Sequence, residues 1–258
     1  MSKIYEPKGR AREYSPLALN LYKGCTHGCK YCYVPRMFKQ WQPGYRHDNC
    51  HPQVNFAELE NSAAKLQGCG KQILLSFTGD PYCGVEPITT RRALEILNRY
   101  QHHVAILTKG GCRCLPDIDL FRQFGNRIKI GATLTFDNWK DSKEWEPGGA
   151  MPLDRIEALK QLHDEGITTW ASFEPVIIPE QSLHMLELAA PHLSHCKIGK
   201  LNNYKGMDKA IDWASFIREA VAICRRHNLP FYVKDDLATF NQGTPLNPEE
   251  RDQDYLNI

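Results

Sequence analysis

Three cysteines, Cys25, Cys29 and Cys32, lie within one stretch of eight residues. Gly24 and Gly28 give this stretch the freedom to curl around an inorganic core, where a residue with a Cβ would clash. Iron–sulfur clusters are usually held by four cysteine thiolates. Because the triplet has no obvious fourth partner, its spacing predicts a four-iron cluster with one iron open to a small molecule. An open iron indicates chemistry at the cluster rather than electron storage.

Two other uses of the triplet stay open at the level of sequence. Structural zinc would need a fourth Cys or His, and His27 is the only candidate inside the loop. Buried free cysteines are the second alternative. A disulfide framework is disfavoured, because no secretory signal precedes the cysteines and 258 residues bury a core without cross-links. We therefore expect a reducing, cytoplasmic compartment, and no apolar run has the length of a membrane span.

Strand-like and helix-like apolar segments alternate along the chain. Strands are predicted at 18–22, 72–77, 103–108, 127–135, 168–173, 195–200 and 231–234. Helices are predicted at 56–66, 89–100, 118–124, 153–165, 181–190 and 213–227, and 37–55 is predicted to be irregular. This alternation predicts an α/β fold with a parallel sheet and right-handed crossovers. We expect one barrel domain over 1–240, with a basic N-terminal segment, and a polar tail over 241–258.

Segments 9–16, 19–25 and 31–36 resemble the cluster region of the radical S-adenosylmethionine (SAM) superfamily, in particular the branch that contains spore photoproduct lyase. The resemblance implies a partial (βα)6-type barrel, related to the TIM barrel, with a [4Fe–4S] cluster on the three cysteines. It also implies that a reductant such as flavodoxin or ferredoxin supplies an electron. SAM is then cleaved to methionine and a 5′-deoxyadenosyl radical, which takes a hydrogen atom from the substrate.

The resemblance assigns roles to residues around the cluster loop and the second strand. Tyr31 is expected against the adenine of SAM, and Tyr33 in radical relay, with plain packing as its alternative. Thr78, Gly79 and Asp80 are expected to bind the SAM amine. Asp80 is equally typical of a turn ahead of a proline.

Further roles fall at the ends of later strands. Lys109 is expected to meet the SAM carboxylate, unless it is an exposed loop lysine. Thr133 and Thr135 alternate on one strand face and are expected near the SAM ribose, although strand packing is the commoner role of threonine. Glu174 is expected to accept hydrogen bonds from the ribose or the substrate. Lys200 and Lys234 follow the last two strands and are expected on the substrate side.

The resemblance to spore photoproduct lyase fails at one position. That enzyme has a cysteine hydrogen-atom donor three positions before the Asp of its second-strand motif, and Phe77 stands there in this chain. The nearest cysteine is Cys83, which is a candidate donor only if its loop folds back toward the substrate. Cys112 and Cys114 form a further pair, either redox-active or incidental.

Charge is unevenly distributed, and this bears on the substrate. Residues 1–46 carry a net charge of +7, whereas the whole chain carries +2. A basic region of this kind attracts phosphate groups, so a nucleobase, nucleotide or DNA substrate is favoured. The SAM carboxylate, the cluster's negative charge or simple solvation are other reasons for it. Two further function classes stay open, a zinc-containing nucleic-acid-binding protein and an electron-transfer protein.

Overall fold

Strands and helices alternate in the computed structural model, which describes residues 3–84, 88–202, 204, 206 and 208–258. The strands are β1 Leu17–Leu19, β2 Tyr22–Lys23, β3 His51–Pro52, β4 Gln72–Leu75, β5 His103–Thr108, β6 Ile128–Thr133, β7 Thr168–Phe173, β8 His195–Ile198 and β9 Phe231–Val233. The α-helices are α1 Val34–Trp41, α2 Phe56–Leu66, α3 Ile88–Arg99, α4 Ile118–Phe124, α5 Trp139–Trp145, α6 Pro152–Asp164, α7 Pro179–Ala189, α8 Trp213–Arg226 and α9 Asp235–Ala238. None of these helices is long and apolar enough to span a membrane.

Seven of the strands form one parallel sheet in the order β1-β4-β5-β6-β7-β8-β9. Helices cover its outer face, where Leu94 and Phe121 belong to one buried core and Leu186 and Phe216 to a second. Strands and crossover helices of this kind curl into the predicted partial barrel, so the predicted α/β fold class is confirmed. The short strands β2 and β3 pair separately and antiparallel beside the cysteine loop.

The inner face of the sheet is filled by apolar side chains. Leu74, Ala105 and Trp170 form a buried cluster there. The Trp170 indole donates a hydrogen bond to the Ile106 carbonyl over 3.0 Å. Gly131 makes room for this ring, because a Cβ at that position would lie 2.5 Å from it. The strands are therefore buried on both faces, which explains their continuous apolar runs.

The prediction that 37–55 is irregular is wrong at its start, where α1 extends to Trp41. Pro35 occupies the first turn of this helix, a position proline favours. Only Val34 is buried among its residues, so the helix has no long apolar stripe to reveal it. Its far end is held by Phe38, whose ring stacks on Tyr45 with centroids 4.7 Å apart.

The C-terminal residues pack against buried lysines of the sheet. The Lys129 ammonium donates to the Leu256 carbonyl at 2.5 Å. Lys197 donates to the carbonyls of Glu13 and Gln253, which come from opposite ends of the chain. Both lysines are fully buried, so these carbonyls replace the water that each ammonium loses.

Candidate active site

A cavity of about 540 Å³ opens where the strands end. In parallel α/β folds, ligands bind at this edge because loops and helix N-termini converge there. The predicted site residues that line it are Cys25, Cys29, Cys32, Tyr31, Tyr33, Thr78, Gly79, Asp80, Lys109, Thr133, Glu174, Lys200 and Lys234. The structure therefore brings together segments that are separated by up to about 200 residues of sequence.

The cysteine loop runs from β2 to α1, and its backbone is tightly enclosed. Gly24 has a φ of +84°, and a Cβ there would lie 2.6 Å from the His47 carbonyl oxygen. That same carbonyl accepts the Cys25 amide at 2.7 Å. A Cβ on Gly79 would lie 2.7 Å from the Gly24 oxygen, so the second-strand motif packs directly on the loop. Glycine is needed at both positions for close backbone approach.

The donor set of the loop fits an iron–sulfur cluster. All three cysteines are free and line the cavity. Burial raises the pKa of Cys29 to about 12, so metal binding must release its proton. In the described part of the chain, no three His, Cys, Asp or Glu side chains lie close enough together to hold a single metal ion such as structural zinc. His27 faces Asp80 at 3.4 Å and Arg113 at 3.3 Å, so its ring nitrogens already have partners.

His47 is a site residue that the sequence analysis missed. Its Nε2 lies 3.7 Å from the Cys32 sulfur, and its Nδ1 lies 2.8 Å from the Tyr45 hydroxyl. Burial lowers the pKa of His47, so the ring is neutral and able to donate one hydrogen bond toward sulfur. No motif marked this residue, because it comes from the loop after α1 and not from the triplet.

The segment after β4 is held in place by side chains of neighbouring loops. The Asn20 side-chain oxygen accepts the amides of Phe77 at 2.8 Å and Thr78 at 3.1 Å. The Asp80 carboxylate accepts the Thr108 hydroxyl at 2.6 Å and the Lys109 amide at 2.8 Å. Asp80 therefore joins the ends of β4 and β5, and much of its hydrogen-bonding capacity is used inside the protein.

A buried ion pair lies behind Tyr31 and was not predicted. The Tyr31 hydroxyl donates to Glu146, which is paired with Arg155, and both charged groups are buried. Burial alone would raise the pKa of Glu146, but the charges of Arg155 and Lys109 hold it below its ordinary value. The Lys109 ammonium lies 5.5 Å from the centre of the Tyr31 ring. The pair thus fixes the ring beside the lysine.

Thr133, the last residue of β6, and Thr135, two residues later, have different surroundings. Thr133 lines the cavity. Thr135 is fully buried outside the cavity lining, and its hydroxyl lies 3.4 Å from Glu146. Only Thr133 is therefore positioned to touch a ligand directly.

The far side of the cavity carries a second buried network. Glu174 accepts hydrogen bonds from Lys234 and from the Tyr14 hydroxyl, both at 2.5 Å, and from Asn202 at 3.1 Å. Burial would raise the pKa of Glu174, but Lys234 holds it below its usual value. Glu174 is therefore an ionised carboxylate held by three donors from different segments.

The two candidates for hydrogen-atom transfer are separated by the fold. The Tyr33 hydroxyl donates to the Phe77 carbonyl at 2.8 Å, on the lining of the cavity. Cys83 is buried outside the lining, with its sulfur 3.3 Å from that of Cys50. Cys112 and Cys114 also lie outside the lining, where Cys112 contacts Asp154.

The protein is thus a half-barrel whose cysteine triplet opens onto a cavity at its strand ends. The family model of the radical SAM superfamily matches residues 19–190, and the chain belongs to this superfamily.

Solved structures share the fold. A mutant of spore photoproduct lyase has a TM-score of 0.68 at 13% identity, covering 90% of this chain and 79% of that one. Streptococcus suis SuiB bound to S-adenosylmethionine has a TM-score of 0.65 at 14% identity, covering 91% of this chain and 54% of that one. At these identities the likeness is one of fold.

Two curated relatives carry no assigned activity. An uncharacterized protein of Methanocaldococcus jannaschii is 33% identical over 161 residues, which is 62% of this chain and 60% of that protein. An uncharacterized protein of Acidianus two-tailed virus is 22% identical over 191 residues, which is 64% of this chain and 57% of that protein. The match therefore spans less than two thirds of each relative.

Proposed function

We propose that Cys25, Cys29 and Cys32 hold a [4Fe–4S] cluster and that SAM binds beside it in the cavity. The observation that carries this proposal is the single cavity that joins the triplet to every predicted SAM-facing segment. When bound, the cluster supplies the electron that cleaves SAM to methionine and a 5′-deoxyadenosyl radical. The protein's contribution is to bind, orient and shield the reactants.

Each SAM-facing residue is given a role by its contacts. Tyr31, fixed by Glu146, offers its ring to the adenine, and Lys109 beside it offers its ammonium to the carboxylate. Backbone oxygens at Thr78 and Gly79 are proposed to take the SAM amine. Three further residues hold these groups in place by hydrogen bonds: Asn20 to Thr78, Asp80 to Lys109, and Thr135 to Glu146. Thr133 faces the ribose, and Glu174 is available to ribose or substrate hydroxyls.

We assign hydrogen-atom relay to Tyr33 in preference to Cys83. Tyr33 lies on the cavity lining, and its hydroxyl is held by the Phe77 carbonyl. Phe77 stands where the lyase branch has its cysteine, so the tyrosine hydroxyl reaches the same part of the cavity. Cys83 is buried against Cys50 and would need a loop rearrangement to take part.

We propose a nucleobase, nucleotide or DNA substrate. Basic side chains line the cavity at Lys8, Arg10 and Lys200, besides Lys234, whose charge is paired with Glu174. Such a lining favours a phosphate-bearing ligand. A spore photoproduct lyase with the same fold has been solved with a dinucleoside spore photoproduct bound. A flavodoxin or ferredoxin in the cytoplasm is the proposed reductant.

Deuterium transfer tests the proposed substrate class. The reconstituted enzyme, reduced with dithionite, is given SAM and deuterated dinucleotides or oligonucleotides, with deuterated amino acids and peptides in parallel. We expect deuterium in 5′-deoxyadenosine from the nucleotide set alone. Transfer only from the amino-acid or peptide set would contradict the substrate class and leave the enzyme class intact.

A further inference from the structure

Helix α1 presents an uncovered stripe of large side chains beside the cavity. Tyr33, Met37 and Trp41 are spaced four residues apart, so they lie along one face of the helix. Their exposed fractions are 43%, 36% and 82%. Trp41 thus leaves most of its ring in water, although burying such a ring is strongly favourable.

The charged residues of helix α1 have one sign. Arg36 and Lys39 are exposed on the helix, which carries no acidic residue. The other strongly exposed tryptophan of the described residues, Trp139 on α5, is 71% exposed. It is surrounded by a mixture of charges that includes Asp137, Asp141 and Glu144. Exposed tryptophan combined with unopposed positive charge is therefore specific to α1.

The stripe leads into the cavity. Tyr33 and Val34, at the start of α1, line the cavity together with Lys8 and Arg10 of the N-terminal segment. Because a helix rises about 1.5 Å per residue, the helix of eight residues extends about 12 Å outward from that lining. An extended ligand seated in the cavity can thus continue along α1.

We propose that α1 is a binding platform for single-stranded nucleic acid. Bases stack on Trp41 and Met37, while Arg36 on the flank of the helix meets a phosphate and the strand continues toward Lys8 and Arg10 of the cavity lining. Proteins that bind single strands without sequence preference combine aromatic stacking with a positive path in this way. The proposal rests on the proposed nucleotide substrate and adds where the strand outside the cavity is held.

Nucleic acid fits the observations better than a protein partner. A protein docks on a broad patch, whereas the exposed apolar groups here form one narrow line along a helix. The stripe leads to a cavity lined by Lys8 and Arg10, which a flexible strand can enter and a folded reductant cannot. Flat aromatic rings in water are also suited to stacking on bases, whatever their sequence.

Fluorescence anisotropy with labelled oligothymidylate tests the platform. We expect Trp41→Ala to weaken binding by about tenfold, as for the loss of one base stack. The matched control Trp139→Ala replaces a similarly exposed tryptophan among charges of both signs and should bind like wild type. Thermal melts of both variants check that the fold is retained. Equal binding by Trp41→Ala and wild type would overturn the proposal.

Salt dependence gives a second readout. Replacing Arg36 by glutamine should lower the slope of log K against log salt by about 0.7, the contribution of one phosphate contact on a single strand. The matched control Lys39→Gln, on the face of α1 opposite the stripe, should leave the slope unchanged. An unchanged slope in Arg36→Gln would count against a phosphate contact there.

Assays for 5′-deoxyadenosine with dithionite as the reductant distinguish a failure of the platform from a failure of the proposed function. Trp41→Ala should still form 5′-deoxyadenosine from SAM, because α1 lies outside the reacting groups. If wild type forms 5′-deoxyadenosine but binds no oligonucleotide, the platform is wrong and the enzyme class stands. If Trp41→Ala binds oligonucleotide normally but loses only reduction by flavodoxin, α1 is a reductant-docking surface instead. If wild type forms no 5′-deoxyadenosine, the proposed function itself fails.

Discussion

Three carboxylates around the cavity are engaged by protein groups. Asp80 ties two strand ends together, Glu174 is held by Lys234 and Tyr14, and Glu146 is paired with Arg155. A buried carboxylate with such partners orients its neighbours. These residues therefore shape the site even where they do not touch a ligand.

Removing Glu146 should leave the Arg155 charge buried without its partner. We expect Glu146→Ala to lower the free energy of unfolding by about 3–5 kcal/mol, the usual cost of breaking a buried pair. Glu144→Ala is the matched control two residues earlier, because Glu144 pairs with Lys30 at the surface. It should cost at most about 1 kcal/mol. Urea unfolding of both variants measures the difference, and equal losses would contradict the role of burial.

The lowered pKa of Lys197 predicts that the free energy of unfolding depends on pH. Burial lowers its pKa to about 7 in the folded chain, against about 10.4 when unfolded. Between these values the unfolded chain binds one proton more, so the contribution of Lys197 to the free energy of unfolding rises with pH. The rise approaches about 1.4 kcal/mol per pH unit.

The measurement compares wild type with Lys197→Met by urea unfolding from pH 6 to about pH 10. The free energy of wild type minus that of the variant should increase across this window and stay flat below pH 7. Lys71→Met replaces an exposed lysine and should give a flat difference throughout. A flat difference for Lys197→Met would show that the buried amine keeps its ordinary pKa.

Individual site residues were predicted correctly where they belong to a sequence motif. Tyr31 and Lys109 were predicted and do line the cavity. Glu146 and Asn20 were not, because their roles come from contacts far along the chain. Tyr31 and Glu146, for example, are 115 residues apart. The hydrogen bonds that hold a site residue depend on tertiary structure, which no local spacing reports.

Among the elements, the cysteine loop is the most tightly constrained. We expect Gly24→Ala to destabilise the protein strongly and abolish iron binding, because the added Cβ meets the His47 carbonyl. Gly68→Ala is a matched control, since it also has a positive φ but has no heavy atom within 4 Å of the added Cβ.

The control should cost about 1–2 kcal/mol for its left-handed backbone and keep its iron. Iron analysis after reconstitution and urea unfolding separate the clash from the backbone strain. An iron content in Gly24→Ala equal to that of wild type would contradict this prediction. It would show that the loop moves away from the His47 carbonyl and binds iron without its close packing.

Elements with strong periodicity were predicted well. The predicted helix over 56–66 matches α2, and that over 213–227 differs from α8 by one residue. Helix α1 was missed because only Val34 is buried in it, so its apolar residues serve no core. Helix α5 was missed for a similar reason, since Ser142 is its only buried residue. Periodicity reports burial, and weakly buried helices give a weak signal.

For the whole molecule, the order of strands in the sequence already implied the topology. Parallel strands with helical crossovers place all strand ends at one edge, so residues after each strand were expected to meet there. Eleven of the thirteen residues proposed from the sequence for catalysis, SAM or the cluster do line the cavity, and Cys83 and Thr135 do not. Both are buried behind the lining, where Cys83 contacts Cys25 and Cys50 and Thr135 lies beside Glu146, and the order of strands does not reveal such contacts.

The most direct measurement of the central claim is SAM cleavage by the reconstituted enzyme. Iron, sulfide, dithionite and SAM are supplied without oxygen to wild type, Cys29→Ala and Cys69→Ala, the last replacing an exposed cysteine. We predict 5′-deoxyadenosine from wild type and Cys69→Ala, and none from Cys29→Ala. A formed cluster in wild type without 5′-deoxyadenosine would contradict the account and favour electron transfer.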